Sequence, residues 1–173
     1  MTRILTRIVA IAALSTLVAG CNLRPLYAGG TSGVVASELG RVEIEPIAGK
    51  AGWLVRNALK DQLEAFEGQE VKYRLTVALD DRIAGFGVRS DDRITRERRT
   101  LRARYQLVRL SDSVVVLDAT AGSDAGIDVV SSEYATVAAE DTALENLATR
   151  VSNQIVTRLS LFARTEASAS PEP

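Results

Sequence analysis

Two groups of residues in this chain have types and spacings that point to chemistry. The first is a single thiol. Cys21 is the only cysteine among 173 residues, and it stands directly behind Leu17-Val18-Ala19-Gly20. Before those residues come two arginines, Arg3 and Arg7, and a nearly unbroken apolar run, Ile8 to Val18. Basic start, apolar middle and small residues at a cut site make the order of an export signal. A lone thiol at the first position after the cut is placed to receive a thioether-linked lipid. The second group is a run of arginines. Between Arg82 and Arg109 lie arginines 82, 89, 93, 96, 98, 99, 102, 104 and 109 against only Asp91, Asp92 and Glu97, a local net of +6. Guanidinium groups fork onto phosphates or carboxylates with two hydrogen bonds, so such a cluster suits an anionic partner.

Other chemistries are removed by what the sequence lacks. With no histidine and no second cysteine, the chain has no disulfide, no imidazole or paired-thiolate zinc site and no Ser-His or Cys-His nucleophile. Its lysines, Lys50, Lys60 and Lys72, stand in no Ser-x-x-Lys spacing. No enzyme, cofactor or metal is therefore expected. Cleavage before Cys21 removes Arg3 and Arg7 and no acid, leaving 19 Lys+Arg from the original 21 against 22 Asp+Glu, a formal net of -3. A nucleic-acid binder working by bulk charge is excluded by that sign.

Eleven apolar residues rise only about 16 Å as a helix, roughly half a bilayer core, too short to stay as a membrane span. Residues 1–20 thus read as a cleaved signal, and the segment before Cys21 resembles a lipobox. Two or more acyl chains, a diacylglyceryl group plus an amide-linked palmitate, anchor such a protein permanently at about 0.8 kcal/mol per buried methylene. Asn22 stands where enterobacterial lipoproteins kept at the inner membrane carry aspartate, so by that resemblance the destination is the outer membrane, periplasmic side.

The elements that must position the arginines follow from periodicity. Residues 21–40, with Gly29-Gly30-Thr31-Ser32-Gly33, read as a tether. The folded body is expected over 41–164. Arg41 to Ile47 alternates as a half-buried strand ended by Pro46. Ala51 to Phe66 carries Leu54, Val55, Ala58, Leu59, Leu63 and Phe66 at helical spacing. Trp53 is expected to pack over the start of that helix. Strands follow around Tyr73 to Leu79, Leu101 to Leu107 and Val114 to Leu117, the last two joined by a turn at Ser111-Asp112-Ser113. The Gly- and Asp-containing stretch Gly122 to Asp128 reads as a loop. A long helix then runs from about Ser132 to Arg164, capped by Ser131 or Ser132 with Glu133 in its first turn. Residues 165–173 read as a frayed tail. The order β-α-β-β-β-α predicts an α+β two-layer sandwich, a four-stranded, mostly antiparallel sheet covered on one face by two helices.

In that frame Gly85-Phe86-Gly87 through Ser90-Asp91-Asp92 forms the tip of a long hairpin. Arg89, Arg93, Arg96, Arg98 and Arg99 are the candidate contact residues for an anionic lipid, with Ile83, Phe86 and Val88 beside them for an acyl chain. The same charges fit an acidic protein surface. They also fit a solvated face that keeps strand edges from aggregating.

Cys21-Asn22-Leu23-Arg24-Pro25-Leu26-Tyr27 at the mature start, the element order, and Ala138-Ala139-Glu140-Asp141-Thr142-Ala143-Leu144 in the last helix resemble the lipopolysaccharide-assembly lipoprotein family LptE in its alphaproteobacterial form. The resemblance implies a non-enzymatic subunit that plugs and stabilises an outer-membrane β-barrel partner, LptD, and contacts lipopolysaccharide on its way to the outer leaflet. The polar lumen of a wide barrel suits a domain with charged outer faces. An auxiliary periplasmic lipoprotein of an ABC-type phospholipid transporter is the alternative, and would show a deep apolar pocket between helices and sheet.

Overall fold

The computed structural model describes residues 33–63, 70–88 and 94–169. The signal, Cys21, most of the tether, the end of the expected first helix at 64–66, the loop carrying Arg89 and Arg93, and residues 170–173 lie outside the described residues.

Four strands form one sheet in the order β1-β2-β3-β4: β1 Val42–Ile44, β2 Tyr73–Val88, β3 Ile94–Arg109 and β4 Val115–Asp128. β2, β3 and β4 are antiparallel neighbours, whereas β1 pairs with β2 in parallel, Val42 opposite Tyr73. The sheet is therefore mixed, with one short parallel strand at an edge. Among the described residues three helices accompany it: α1 Val34–Leu39, α2 Gly49–Leu63 and α3 Glu133–Ala169. The connection from β1 through α2 to β2 is a βαβ crossover, which is why β1 is parallel.

Alternation along the strands assigns the two faces. Tyr73, Leu75 and Val77 of β2 and Leu101, Ala103, Tyr105 and Leu107 of β3 point to the helices and are buried. Val55 and Leu59 of α2 and Leu144, Leu147, Val151 and Ile155 of α3 meet them, all at 0% exposure. Burial of each such leucine contributes about 1.5–3 kcal/mol of transfer free energy. Inside this core Ser152 donates to the Val55 carbonyl at 3.2 Å, tying α3 to α2. Gly52 is required by close approach: a Cβ there would lie 2.5 Å from the carbonyl oxygen of Ile47 in the segment entering α2.

Four expectations change. Residues 34–39, read as tether, form α1, with Ala36 and Leu39 each only 1% exposed, and Glu38 paired with Arg41 and Lys72. Six residues are too few for a helical period to announce itself, and tertiary burial makes the helix. Gly122 to Asp128, read as a loop, completes β4. Glycine, alanine and aspartate have poor strand propensity, but pairing against the whole of β3 overrides it. α3 continues to Ala169, past the expected end at Arg164. Trp53 is 62% exposed rather than packed down over the helix start: with Gly52, Val55 and Leu59 turned inward, position 53 falls on the outer side of α2.

Candidate functional site

Nothing among the described residues covers the second face of the sheet. Pairing places Ala84 and Phe86 of β2, Arg96, Arg98, Thr100, Arg102, Arg104 and Gln106 of β3, and Asp118, Thr120, Gly122, Asp124, Gly126 and Asp128 of β4 on this face. The central strand is thus an arginine ladder and the edge strand an aspartate ladder. They close on each other pairwise. Arg96 Nε lies 3.1 Å from Asp128 Oδ1, Arg102 Nη2 3.3 Å from Asp124 Oδ2, and Arg104 Nη2 2.9 Å from Asp118 Oδ2. Thr100 donates to Asp124 at 2.6 Å and Gln106 to Asp118 at 2.9 Å.

The titration behaviour follows. The hydrogen bond from Arg104, then that from Gln106, holds Asp118 below the usual carboxylate range. Thr100 first, then Arg102, does the same for Asp124. Gly122 lies under the Arg102 side chain, which crosses β4 so closely that a Cβ at 122 would fall 2.5 Å from its Cδ and push that flexible side chain aside.

The +6 segment is consequently not a +6 surface. Arg82 pairs with Asp80 at 2.8 Å and Arg109 with Asp112 at 3.1 Å. Most of the neutralising acids come from outside the segment, above all from β4, whose second half, Gly122 to Asp128, the sequence presents as a loop. Arg98 is different. Its guanidinium carbon sits 5.2 Å from the centre of the Phe86 ring, an exposed cation–π stack, with no carboxylate in ion-pair contact among the described residues. Arg98 and Arg96 lie together on the open face near the hairpin end.

Arg99 belongs to the other face. Only 11% of its side chain is exposed. It meets Asp81 through Nε at 2.9 Å and Nη2 at 2.6 Å, and donates from Nη1 to the Glu140 carbonyl of α3 at 2.9 Å. It therefore joins the upper hairpin to α3, and its Asp81 hydrogen bond raises its own pKa. Beside it, burial and then the Glu140 carboxylate push the Glu97 carboxyl above its ordinary value. Glu97 Oε2 is shielded from solvent without a hydrogen-bond partner among the described residues. Of the five candidate arginines, the structure brings Arg96 and Arg98 together and turns Arg99 inward; Arg89 and Arg93 lie outside the described residues.

The fold is shared with proteins already known. The family model described as LptE, lipopolysaccharide-assembly, matches residues 39–159. The chain belongs to the LptE family. Among solved structures, this LptE-family chain is similar to a Caulobacter crescentus protein described as a lipoprotein, at 24% identity and a TM-score of 0.62, covering 81% of this chain and 100% of that one. It is also similar to the minor lipoprotein of Acinetobacter baumannii, at 15% identity and a TM-score of 0.58, covering 71% and 92%. Lipoprotein B of Nitrosomonas europaea matches at 11% identity and a TM-score of 0.55, covering 76% and 90%. These likenesses establish a common fold. Among curated proteins, none matches the chain. The LptE-family match spans the body from the last residue of α1 through most of α3 and makes the chain a lipopolysaccharide-assembly protein.

Proposed function

We propose that the mature chain is a non-enzymatic outer-membrane lipoprotein, anchored through Cys21 on the periplasmic side, that seats in and stabilises the LptD β-barrel and contacts lipopolysaccharide during its insertion. The observation that carries this reading is the open sheet face. An antiparallel sheet packed on one face commonly leaves the other to solvent. Here its side chains are a cross-strand lattice of Arg–Asp pairs, which tolerates a wet, polar lumen far better than it would an apolar groove. Arg98 over Phe86, with Arg96 beside it, offers the chemistry of a phosphate contact next to an apolar surface. Arg89 and Arg93 extend the same proposal into the neighbouring loop.

The phospholipid-carrier alternative finds no support in the core. Tyr73, Leu75, Leu101, Tyr105, Leu144 and Ile155 fill the space between helices and sheet to 2% exposure or less. The test is lipopolysaccharide binding by the purified chain carrying Arg96→Glu and Arg98→Glu together. Binding is expected to weaken about tenfold or more, since two attractive contacts become repulsive, while the circular dichroism melt stays unchanged. Wild-type binding in the folded variant overturns the contact assignment.

A further inference from the structure

The outer edge of β4 runs beside α3, and two open clefts lie along this line. One, of about 670 Å³, lies among Ala119, Thr120, Asn153, Arg158 and Leu161. The other, of about 420 Å³, lies among Ala125, Gly126, Ala139, Asn146 and Arg150. Between them a single side chain spans the gap. Gln154 Oε1 accepts from the Gly122 amide at 3.1 Å, and Gln154 Nε2 donates to the Gly122 carbonyl at 3.2 Å. This donor–acceptor pair from one amide is the pattern a neighbouring strand would present to an edge residue. Strand groups alternate in direction, so the amides and carbonyls of Thr120 and Asp124 face the same edge as those of Gly122. Gln154 caps that edge at its midpoint and leaves it open on both sides.

The α3 flank above this edge has a definite charge. Arg150 and Arg158 are exposed, and neither has a carboxylate in ion-pair contact among the described residues. They contrast with the paired arginines of the open face. Eight residues of helix separate them, about 12 Å along the axis. In an extended strand, side chains at positions i and i+4 point the same way and stand about 13 Å apart. On the opposite side of the edge, Asp118 and Asp124 are held by Arg104 and Arg102, so that side disfavours further acids.

We propose that the β4 edge and the α3 flank form a docking groove for an extended acidic segment of a partner protein. That segment pairs with β4 as a fifth strand, sets carboxylates at i and i+4 against Arg158 and Arg150, and turns hydroxyl or small side chains toward Asp118 and Asp124. Gln154 is the placeholder at Gly122 and gives way to the incoming backbone. This is strand addition, in which backbone bonds supply affinity and alternate side chains supply selectivity. The proposal does not depend on which protein donates the strand, so it stands or falls apart from the barrel assignment.

The probe is a ten-residue peptide of alternating valine and threonine, with glutamate in place of valine at its third and seventh positions so that the threonines face Asp118 and Asp124, titrated into the full mature chain and followed by amide NMR. The expected result is shifts at Thr120, Gly122, Asp124 and the Gln154 side-chain amide, with slowed exchange along the β4 edge. Arg150→Glu with Arg158→Glu is expected to weaken binding about tenfold, and Gln154→Ala to strengthen it by freeing Gly122. No shift at millimolar peptide overturns the proposal, as does equal binding of a lysine-substituted peptide. So does displacement by a sugar phosphate without edge protection, which would make the groove a saccharide site. Dimerisation of the chain through β4 would equally overturn it, by assigning the edge to a second copy.

Discussion

Arg99 and Arg104 lie five residues apart on one strand, and their removal is expected to cost different amounts. Arg99 is nearly enclosed, forks onto Asp81 and holds a carbonyl of α3. Arg99→Ala strands a partly shielded carboxylate and is predicted to destabilise the fold by about 2 kcal/mol. Arg104 stands on the solvated face, and Arg104→Ala is predicted to cost less than about 1 kcal/mol. Urea denaturation of both variants checks the contrast. Glu97 behaves in the opposite sense to an ordinary paired acid. Its folded pKa is raised, so the stability linked to its protonation is fully present below the ordinary value of 4.5 and is lost as pH rises through the elevated value. Glu97→Gln is therefore predicted to raise the melting temperature at pH 7 and to remove part of the pH dependence above 4.5. Asp118 and Asp124, with lowered values, contribute stability above the ordinary carboxylate range that is lost only as pH falls through those lowered values. Alternation with Leu101, Ala103 and Tyr105 puts Arg99 on the inner face and Arg104 on the outer one, but the acid each meets, 18 or 14 positions away, leaves no mark in the sequence.

Among the elements, α3 is the one whose sequence speaks most clearly. Its stripe of Leu144, Leu147, Val151, Ile155 and Leu159 is buried throughout, and Ser132 accepts from the Ala135 amide at 3.4 Å, as the expected cap. β4 is the least legible. Its inward residues Ala119, Ala121, Ser123 and Ala125 are small where α3 crosses, and small residues leave no hydrophobic alternation to read. Misreading that segment as a loop hides the aspartate ladder, and with it the neutralisation of the arginines. α2 was legible in its apolar spacing but not in its first turn, where the Ile47 carbonyl crowds position 52. Gly52→Ala is predicted to destabilise the domain by about 1–3 kcal/mol through displacement of that entry segment, measurable as a shift in urea midpoint. A side chain accepted there without cost would mean that the segment moves freely.

At the scale of the whole molecule, the arrangement is polarised. α1, β1 and the buried contact of Tyr73 with Phe162, ring centres 5.8 Å apart, close the end of the domain from which the chain leads back toward Cys21. β2 and β3 carry Arg96, Arg98 and Phe86 toward the opposite end, roughly 40 Å along the strands from Tyr73 and Arg109. On the proposed anchoring through Cys21, the hairpin end, at the far end of β2 and β3 from β1, is the part that would reach into a barrel. The measurement that tests this account most directly is a mild-detergent purification of the lipidated mature chain from outer membranes, salt-washed and analysed by quantitative mass spectrometry. Recovery of a large outer-membrane β-barrel at equal stoichiometry is the predicted result; recovery of inner-membrane transporter components, or of the chain alone, would contradict it.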